Sequence, residues 1–275
     1  MNQQPLGGRL KAKRRSFEKV VRDLRHVVFS VVRVRPVDAE SAQFTVLGSG
    51  FFVSPTVFLT CCHVVNGWAA PHQDGDSYHL VSSFRGSPPV IYFVKDARQG
   101  SSLHLFPDCD LALLIHSENR EKPYAALDYG DVYEGREIGV AGYPIAVLQA
   151  VEGKLTLEGF KFRVAKGVVT GAYITNISFQ GGVEIRGIPV IEVNFLFVPG
   201  NSGGPIFDAE TGRILGFVHG YTTTKIRERV EQVTLIPDLP GDMTGKYVES
   251  LSALYSLGIK LDPVRPQLEQ FGVTL

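Results

Sequence analysis

The sequence predicts an all-β protein with short helices at its two ends, built as two small antiparallel barrels in tandem. Two observations carry this. Short apolar runs and period-two stretches follow one another, with turn residues roughly every eight to twelve positions. Alternating strand and helix patterns are absent, which argues against a doubly wound parallel sheet. At 275 residues, 44% hydrophobic and 20% charged, the chain has the apolar material for a sizeable core. That composition excludes a disordered or collagen-like chain.

The elements follow in order. Residues 1–25 form a basic arm ending in a short helix. Ser16 is placed to cap it, and Phe17, Val20, Val21 and Leu24 fall at helical spacing. Strand-like runs then occupy His26 to Arg35, Phe44 to Leu47, Gly50 to Val53, Val57 to Thr60, Val90 to Val94 and Leu111 to Ile115. A polar joint, Asn119 to Pro123, divides a first barrel at 26–120 from a second at 121–240. The second contains runs at Glu137 to Ala141, Phe160 to Val169, Val183 to Ile185, Val190 to Val198, Pro205 to Phe207, Ile214 to Val218 and Val230 to Leu235. Residues 241–275 are expected to be helical. Tyr247, Leu251, Leu254 and Leu257 repeat at helical spacing, Gly258 is a stop, and Pro263 and Pro266 bar continuation.

Charge is balanced overall, with 28 basic and 28 acidic residues, yet residues 1–35 carry ten Lys or Arg against Glu18 and Asp23. This net +8 arm leaves −8 on the remainder. The first expectation is a solvated leader that balances an acidic body. The alternative is that residues 9–35 contact nucleic acid or an anionic surface. No apolar stretch reaches the ~20 residues that cross a bilayer. The N-terminus has no signal-like apolar region, and there are only three cysteines, Cys61, Cys62 and Cys109. A reducing, cytoplasmic setting is therefore expected.

Three segments carry chemistry. Gly48-Ser49-Gly50 and the following strands deliver His63 just past an apolar run. Asp110 stands at the head of the strand Leu111 to Ile115. Ser202 lies in the glycine-rich turn Gly200 to Pro205 between two apolar runs. A serine hydroxyl is a weak nucleophile unless a base removes its proton during attack. Histidine can take that proton and return it to a leaving amine. A carboxylate on the other ring nitrogen fixes the tautomer, and backbone N–H groups in a glycine turn can receive an oxyanion. Gly-x-Ser-x-Gly also marks the nucleophile elbow of α/β-hydrolases, which needs the order serine, acid, histidine. Here His219 is the sole histidine after Ser202, with only Asp208 and Glu210 between them. That rival fails on order and on fold class.

The words GSGFFVSPTVFLTCCHVV, DLALL and GNSGGP, in the order histidine, aspartate, serine, resemble a trypsin-like (chymotrypsin-fold) serine protease. The likeness is greatest to bacterial HtrA-type and related trypsin-like peptidases. GREIGVAGYP and AKGVVTG also resemble second-barrel strands of that family, so the resemblance spans about residues 26–235. It implies two six-stranded antiparallel barrels. It implies a serine endopeptidase with Ser202 as nucleophile, His63 as general base and Asp110, rather than Asp108, orienting His63. The N–H groups of Gly200 and Ser202 would form the oxyanion hole. No cofactor or metal is implied, and no zinc-like Cys/His spacing exists. The substrate would be a protein or peptide.

By position in the family, Leu196, Val198, Val218, His219, Gly220 and Tyr221 would bind the substrate residue before the cleaved bond. Leu196 near a pocket floor cannot offset a buried cation, so apolar or small residues are expected. His219 can instead be a structural histidine on the Asp110 side. Asn201 stands where many secreted relatives carry an aspartate that pairs with a freed N-terminus, so that activation route is not expected. A regulatory protein partner or a loop rearrangement is the alternative trigger. The cysteines read as small apolar filler, with a redox-sensitive Cys62–Cys109 pair as the alternative. Too few residues follow the pattern for the PDZ module that HtrA proteins append. Two other functions compete: a catalytically silent binding module on the same fold, and a protease localised by its basic arm.

Overall fold

The computed structural model describes residues 14–37, 42–66, 73, 75–83, 90–94, 102–116, 122–144, 147–151, 154–158, 161–178, 184–234 and 244–273. Arg9, Lys11 and Lys13 of the basic arm lie outside them, as do residues 119–121 of the polar joint.

Helix α1 spans Phe17–Leu24, with Ser16 as N-cap accepting the Lys19 N–H. It buries Val20 and Leu24 and stacks Phe17 on Phe207 at 5.9 Å. The basic residues around it are engaged. Arg14 pairs with Glu210 at 2.9 Å, Arg15 with Asp23 at 2.6 Å, and Arg22 with Glu18 at 2.8 Å. Arg15 also donates to the carbonyl of Thr211. Farther on, Arg35 makes two 2.7 Å bonds to the buried Asp76. Two of these pairs, those of Arg14 and Arg35, reach acids outside the arm.

The first half is a seven-stranded antiparallel sheet. Its strands are β1 (Val28–Pro36), β2 (Ala42–Phe52), β3 (Val57–Cys61), β4 (Ser77–Ser82), β5 (Val90–Val94), β6 (Leu103–Phe106) and β7 (Leu111–Ile115). A helical turn, α2 (Cys62–Val65), follows β3. The order β5-β4-β1-β2-β3-β7-β6 puts β1 and β3 well inside the sheet, where their β-branched and aromatic residues are buried. Phe29, Phe52, Phe58 and Tyr92 form an edge-on aromatic cluster there.

The second half is a closed barrel of β8 (Glu137–Gly142), β11 (Arg163–Ser178), β12 (Glu184–Val193), β13 (Pro205–Asp208), β14 (Ile214–Thr234) and β15 (Thr244–Lys260), in the order β11-β12-β15-β14-β13-β8. Its core contains Ile138, Val140, Ile191, Ile206 and Val218. Between β8 and β11, β9 (Val147–Val151) and β10 (Lys154–Glu158) make a separate ribbon. The all-β, two-unit expectation holds. The second unit closes with six strands, while the first has seven.

The expected helix over 247–257 is corrected to a strand. β15 pairs with β14 from Gly216↔Lys260 to Thr234↔Thr244, and with β12 from Val190↔Ile259 to Val193↔Ser256. Those two ladders close the barrel, and their hydrogen bonds outweigh local helical spacing. Gly258 is no helix stop. A Cβ there would lie 2.0 Å from Ile206 Cδ1, so glycine permits close packing across the barrel. The C-terminal helix lies later, at α3 (Arg265–Glu269), with proline in its first turn, where a missing N–H costs nothing.

Candidate active site

Strand register brings His63 to Asp110. β3 and β7 pair from Val57↔Ile115 to Cys61↔Leu111. Beyond that last pair the Cys62 N–H donates to the Asp110 carbonyl at 2.9 Å, and the chain turns into α2. His63 then presents its backbone N–H to Asp110 Oδ1 at 3.0 Å and its ring Nδ1 to Oδ2 at 2.8 Å. Asp110 ends a 3-10 turn, Pro107–Cys109, in the left-handed region at φ 50°. It is the only non-glycine with positive φ among the described residues. Aspartate tolerates this conformation better than most residues. Asp108 is exposed, whereas Asp110 is 2% exposed.

Ser202 sits between β12 and β13 in a loop held from both halves. Gly200 and Gly203 take φ of 95° and 82°, conformations that favour glycine. The N–H groups of Asn201, Gly203 and Gly204 donate to Val198, Val218 and Asn201 carbonyls. Those of Gly200 and Ser202 make no hydrogen bond among the described residues. From the first sheet, Ser49 N–H donates to the Ser202 carbonyl at 2.9 Å and Ser49 Oγ to the Gly200 carbonyl at 2.6 Å. Ser49 Oγ in turn accepts the Tyr143 N–H at 2.8 Å. Ser49 was not among the residues expected from the sequence to build the site. Its signal was its place in the word GSG, two residues before the buried Phe51.

His219, on β14, joins the two groups. Its Nδ1 lies 2.7 Å from Asp110 Oδ2, and its carbonyl accepts the Ser202 hydroxyl at 3.2 Å. The His63 and His219 rings meet edge to face at 5.4 Å. Ser202, His63, Asp110 and His219 are therefore gathered in one place, the first and last from the barrel and the other two from the sheet. Burial pushes the Asp110 carboxyl up. The charge of His63 and the hydrogen bonds from His219 and His63 overcome this and hold it well below the usual carboxylate range.

The cysteines surround this cluster but do not share its chemistry. All three are free and buried. Burial and the nearby Asp110 charge push the Cys61 thiol well up, and Cys62 to about 12. Burial likewise pushes Cys109 to about 11. Such thiols are poor nucleophiles. Donor atoms of Cys61, His63 and Asp110 lie within 4.8 Å of one another. They are already committed: the Cys61 thiol donates to the Val218 carbonyl, and Asp110 Oδ2 receives both imidazoles. This fits a hydrogen-bonded cluster better than a metal cage.

The residues expected to bind substrate separate into groups. Leu196, 55% exposed, and Val198 face solvent before the serine loop. Val218 is buried in the barrel core and contributes its carbonyl to Gly203 and Cys61. His219 and Tyr221 line a cavity of about 540 Å³ with Tyr173, Tyr255, Leu257 and Glu192. Gly220 has open space on its side-chain face.

A closed β-barrel joined to a second antiparallel sheet, with histidine and aspartate on one and a glycine-flanked serine on the other, defines a trypsin-like peptidase fold. Comparison with known proteins agrees. The trypsin-like peptidase domain model matches residues 48–217, and the chain belongs to that family. It is 30% identical over 176 residues to Protease Do-like 2, chloroplastic, of Arabidopsis thaliana. That match covers 63% of this chain and 24% of the relative, so the chain spans about a quarter of the curated relative's length. The active form of the Rv3671c protease from M. tuberculosis superposes with a TM-score of 0.59 at 19% identity, covering 100% of this chain and 96% of that one. The HtrA-type protease AlgW with a tripeptide gives 0.53 at 16% identity, covering 94% and 65%. At these identities the structural likenesses speak to the fold.

Proposed function

We propose that this protein is a serine endopeptidase acting through an acyl-enzyme. In this reading Ser202 Oγ turns from the His219 carbonyl toward His63 and attacks the carbonyl carbon of a peptide bond. His63 Nε2 takes the hydroxyl proton as the new C–O bond forms. The N–H groups of Gly200 and Ser202, which make no hydrogen bond among the described residues, receive the oxyanion. Collapse of the tetrahedral species breaks the C–N bond, and His63 returns the proton to the departing amine. Water, activated by the same imidazole, then cleaves the ester. Asp110 holds His63 in the Nδ1–H tautomer and stabilises its cation. The observation that carries the reading is the pair of hydrogen bonds from His63 to one buried carboxylate, with the Ser202 hydroxyl held over the same carboxylate's second histidine.

Fluorophosphonate labelling tests it. The wild type should be labelled at Ser202, and Ser202→Ala not at all. His63→Ala should slow labelling by about 10⁴-fold or more. Equal labelling of His63→Ala, or none of the wild type, sinks the reading and leaves a catalytically silent module.

The substrate is proposed to be a peptide or protein; AlgW was solved with a tripeptide and with a decapeptide. Preference should fall on apolar or small residues before the cleaved bond. Leu196 and Val198 offer exposed apolar surface before the serine loop, and the cavity beside His219 is lined by Tyr173, Tyr221 and Tyr255 together with the polar Thr175, Asn176 and Ser178. Its acid, Glu192, has its oxygens taken by the hydroxyls of Thr170 at 2.9 Å and Tyr173 at 2.8 Å. Profiling on a peptide library checks this. Cleavage dominated by Lys or Arg would reject it and give Glu192 the specificity role. Regulation by a protein partner or a loop change belongs to the same proposal, since Asn201 cannot form an activating ion pair. So does a reducing, cytoplasmic setting, which three free thiols suit.

A further inference from the structure

We propose that the Ser49 hydroxyl is a positioning group of this site, a neutral latch by which the first sheet keeps the loop from Gly200 to Ser202 formed. The inference rests on the protease reading above and adds to it what holds the two oxyanion-receiving N–H groups in place.

The loop is held one peptide plane at a time. The Gly200–Asn201 plane is bonded at both ends: its carbonyl accepts Ser49 Oγ at 2.6 Å, and its N–H donates to the Val198 carbonyl at 3.0 Å. In the Asn201–Ser202 plane the carbonyl accepts the Gly204 N–H at 2.8 Å. The Ser202–Gly203 plane is again bonded at both ends, to the Ser49 N–H at 2.9 Å and the Val218 carbonyl at 2.8 Å. All of these bonds but one join backbone to backbone. The exception is the Ser49 hydroxyl.

That hydroxyl grips the loop at its softest point. Gly200 has φ 95°, and a glycine rotates about its own bonds at little cost. Rotation there swings the Gly200 N–H relative to that of Ser202, and two donors that no longer converge stabilise an oxyanion poorly. A bonded Gly200 carbonyl stops the rotation. No ion pair can do so through Asn201, which is a neutral amide. The direction of the latch follows from its partners. The Tyr143 N–H donates to Ser49 Oγ at 2.8 Å, so the single hydroxyl proton is left for Gly200. Ser49 is fully buried, and its hydroxyl without these contacts would be less favourable than alanine. Tyr143 directly follows β8 of the barrel, so the chain of bonds runs from the barrel through the sheet and back to the serine loop.

The test is the rate of fluorophosphonate labelling against pH for the wild type, Ser49→Ala and Ser49→Thr. In labelling, a bond forms between Ser202 Oγ and phosphorus, fluoride leaves, the hydroxyl proton passes to His63, and charge gathers on the phosphonyl oxygen. Ser49→Ala keeps the backbone bond to Ser202 and loses the latch. Its plateau rate should fall between about tenfold and about 10²-fold, with the acid limb unmoved, since His63 and Asp110 are untouched. Ser49→Thr keeps the hydroxyl and should keep most of the rate. An alanine variant with the wild-type plateau overturns the proposal. So does one whose limb moves with its plateau, because the loss then comes through His63. A threonine variant that melts like the wild type yet labels like the alanine variant overturns it too, its hydroxyl being present without effect. Hydrogen exchange of the Asn201 N–H is the second readout. It should be protected in the wild type, as that of Gly203 is, and exchange faster in Ser49→Ala. Unprotected exchange in the wild type, or an unchanged rate in the alanine variant, overturns the latch. If the wild type is not labelled, the protease reading has failed, and exchange judges the latch by itself. Wild-type exchange also decides if a variant melts far lower or does not fold.

Discussion

A carboxylate 2% exposed to solvent stays ionised only if its surroundings replace water. Asp110 meets that demand with three N–H donors from two histidines. Its left-handed backbone turns the side chain back over α2, a strained conformation that the 3-10 turn before it enforces. Much of this could be read from sequence. The choice of Asp110 over Asp108 came from the family resemblance of the word DLALL, and the structure buries Asp110 and leaves Asp108 exposed. The burial of the three cysteines was equally readable, whereas the hydrogen bond from Cys61 to the Val218 carbonyl was not. Ser49 was not, because its partners Gly200, Ser202 and Tyr143 lie far along the chain, and no local pattern records a hydrogen bond that spans 151 positions. His219 was half readable: its position suggested the Asp110 side, and only coordinates could show that it shares an oxygen with His63.

Strands with unbroken apolar runs were readable for a related reason. Val57 to Cys61 and Leu111 to Ile115 are buried almost throughout, so composition alone marks them. β4 and β6 escaped notice because Ser77, His79, His104 and similar residues dilute the pattern. β15 was misassigned because four apolar residues happened to fall at helical spacing in a segment whose conformation is set by its neighbours on either side. The serine loop shows how far such long-range fit constrains a single position. Gly187 and Gly203 both adopt positive φ, at 64° and 82°. A Cβ on Gly187 would meet nothing within 4 Å, whereas one on Gly203 would lie 2.2 Å from the Ser49 carbonyl oxygen and 2.4 Å from Thr60 Oγ1. Gly187→Ala should therefore cost about 1–2 kcal/mol, the backbone term alone, and leave labelling of Ser202 unchanged. Gly203→Ala should lower the melting temperature further and abolish labelling, because the loop must withdraw from Ser49. Equal shifts in melting temperature for the two variants would contradict this account.

Across the whole molecule, the two halves are stitched by short polar contacts as well as by a shared apolar core. Ser49 and Cys61 of the sheet reach Gly200, Ser202 and Val218 of the barrel segment. Two basic residues of the arm, Arg14 and Arg35, find acids in distant parts of the chain. Each half also holds an anchoring aspartate, buried in the first and half-buried in the second. In the first, burial pushes Asp76 up, but hydrogen bonds from Arg35 and the Gln73 N–H, with the charges of Arg35 and Arg33, bring it below its ordinary value. In the second, burial of Asp208 is outweighed by hydrogen bonds from the Thr211 backbone and hydroxyl and from Arg136. A carboxyl whose folded value is depressed binds protons more readily when unfolded. It therefore adds stability above the unfolded value, near ~3.9, and that stability is lost as pH falls from there through the folded value. Unfolding free energy from denaturant titration should accordingly show the full contribution of these groups, with no pH dependence from them, between about pH 6 and 8 and a decline from about pH 5 downward. Asp76→Asn should be less stable than the wild type at neutral pH and should lose less on acidification, so the two curves converge in acid. Parallel curves would mean that Asp76 titrates alike in both states, and the Arg35 pair would then contribute nothing to the acid limb.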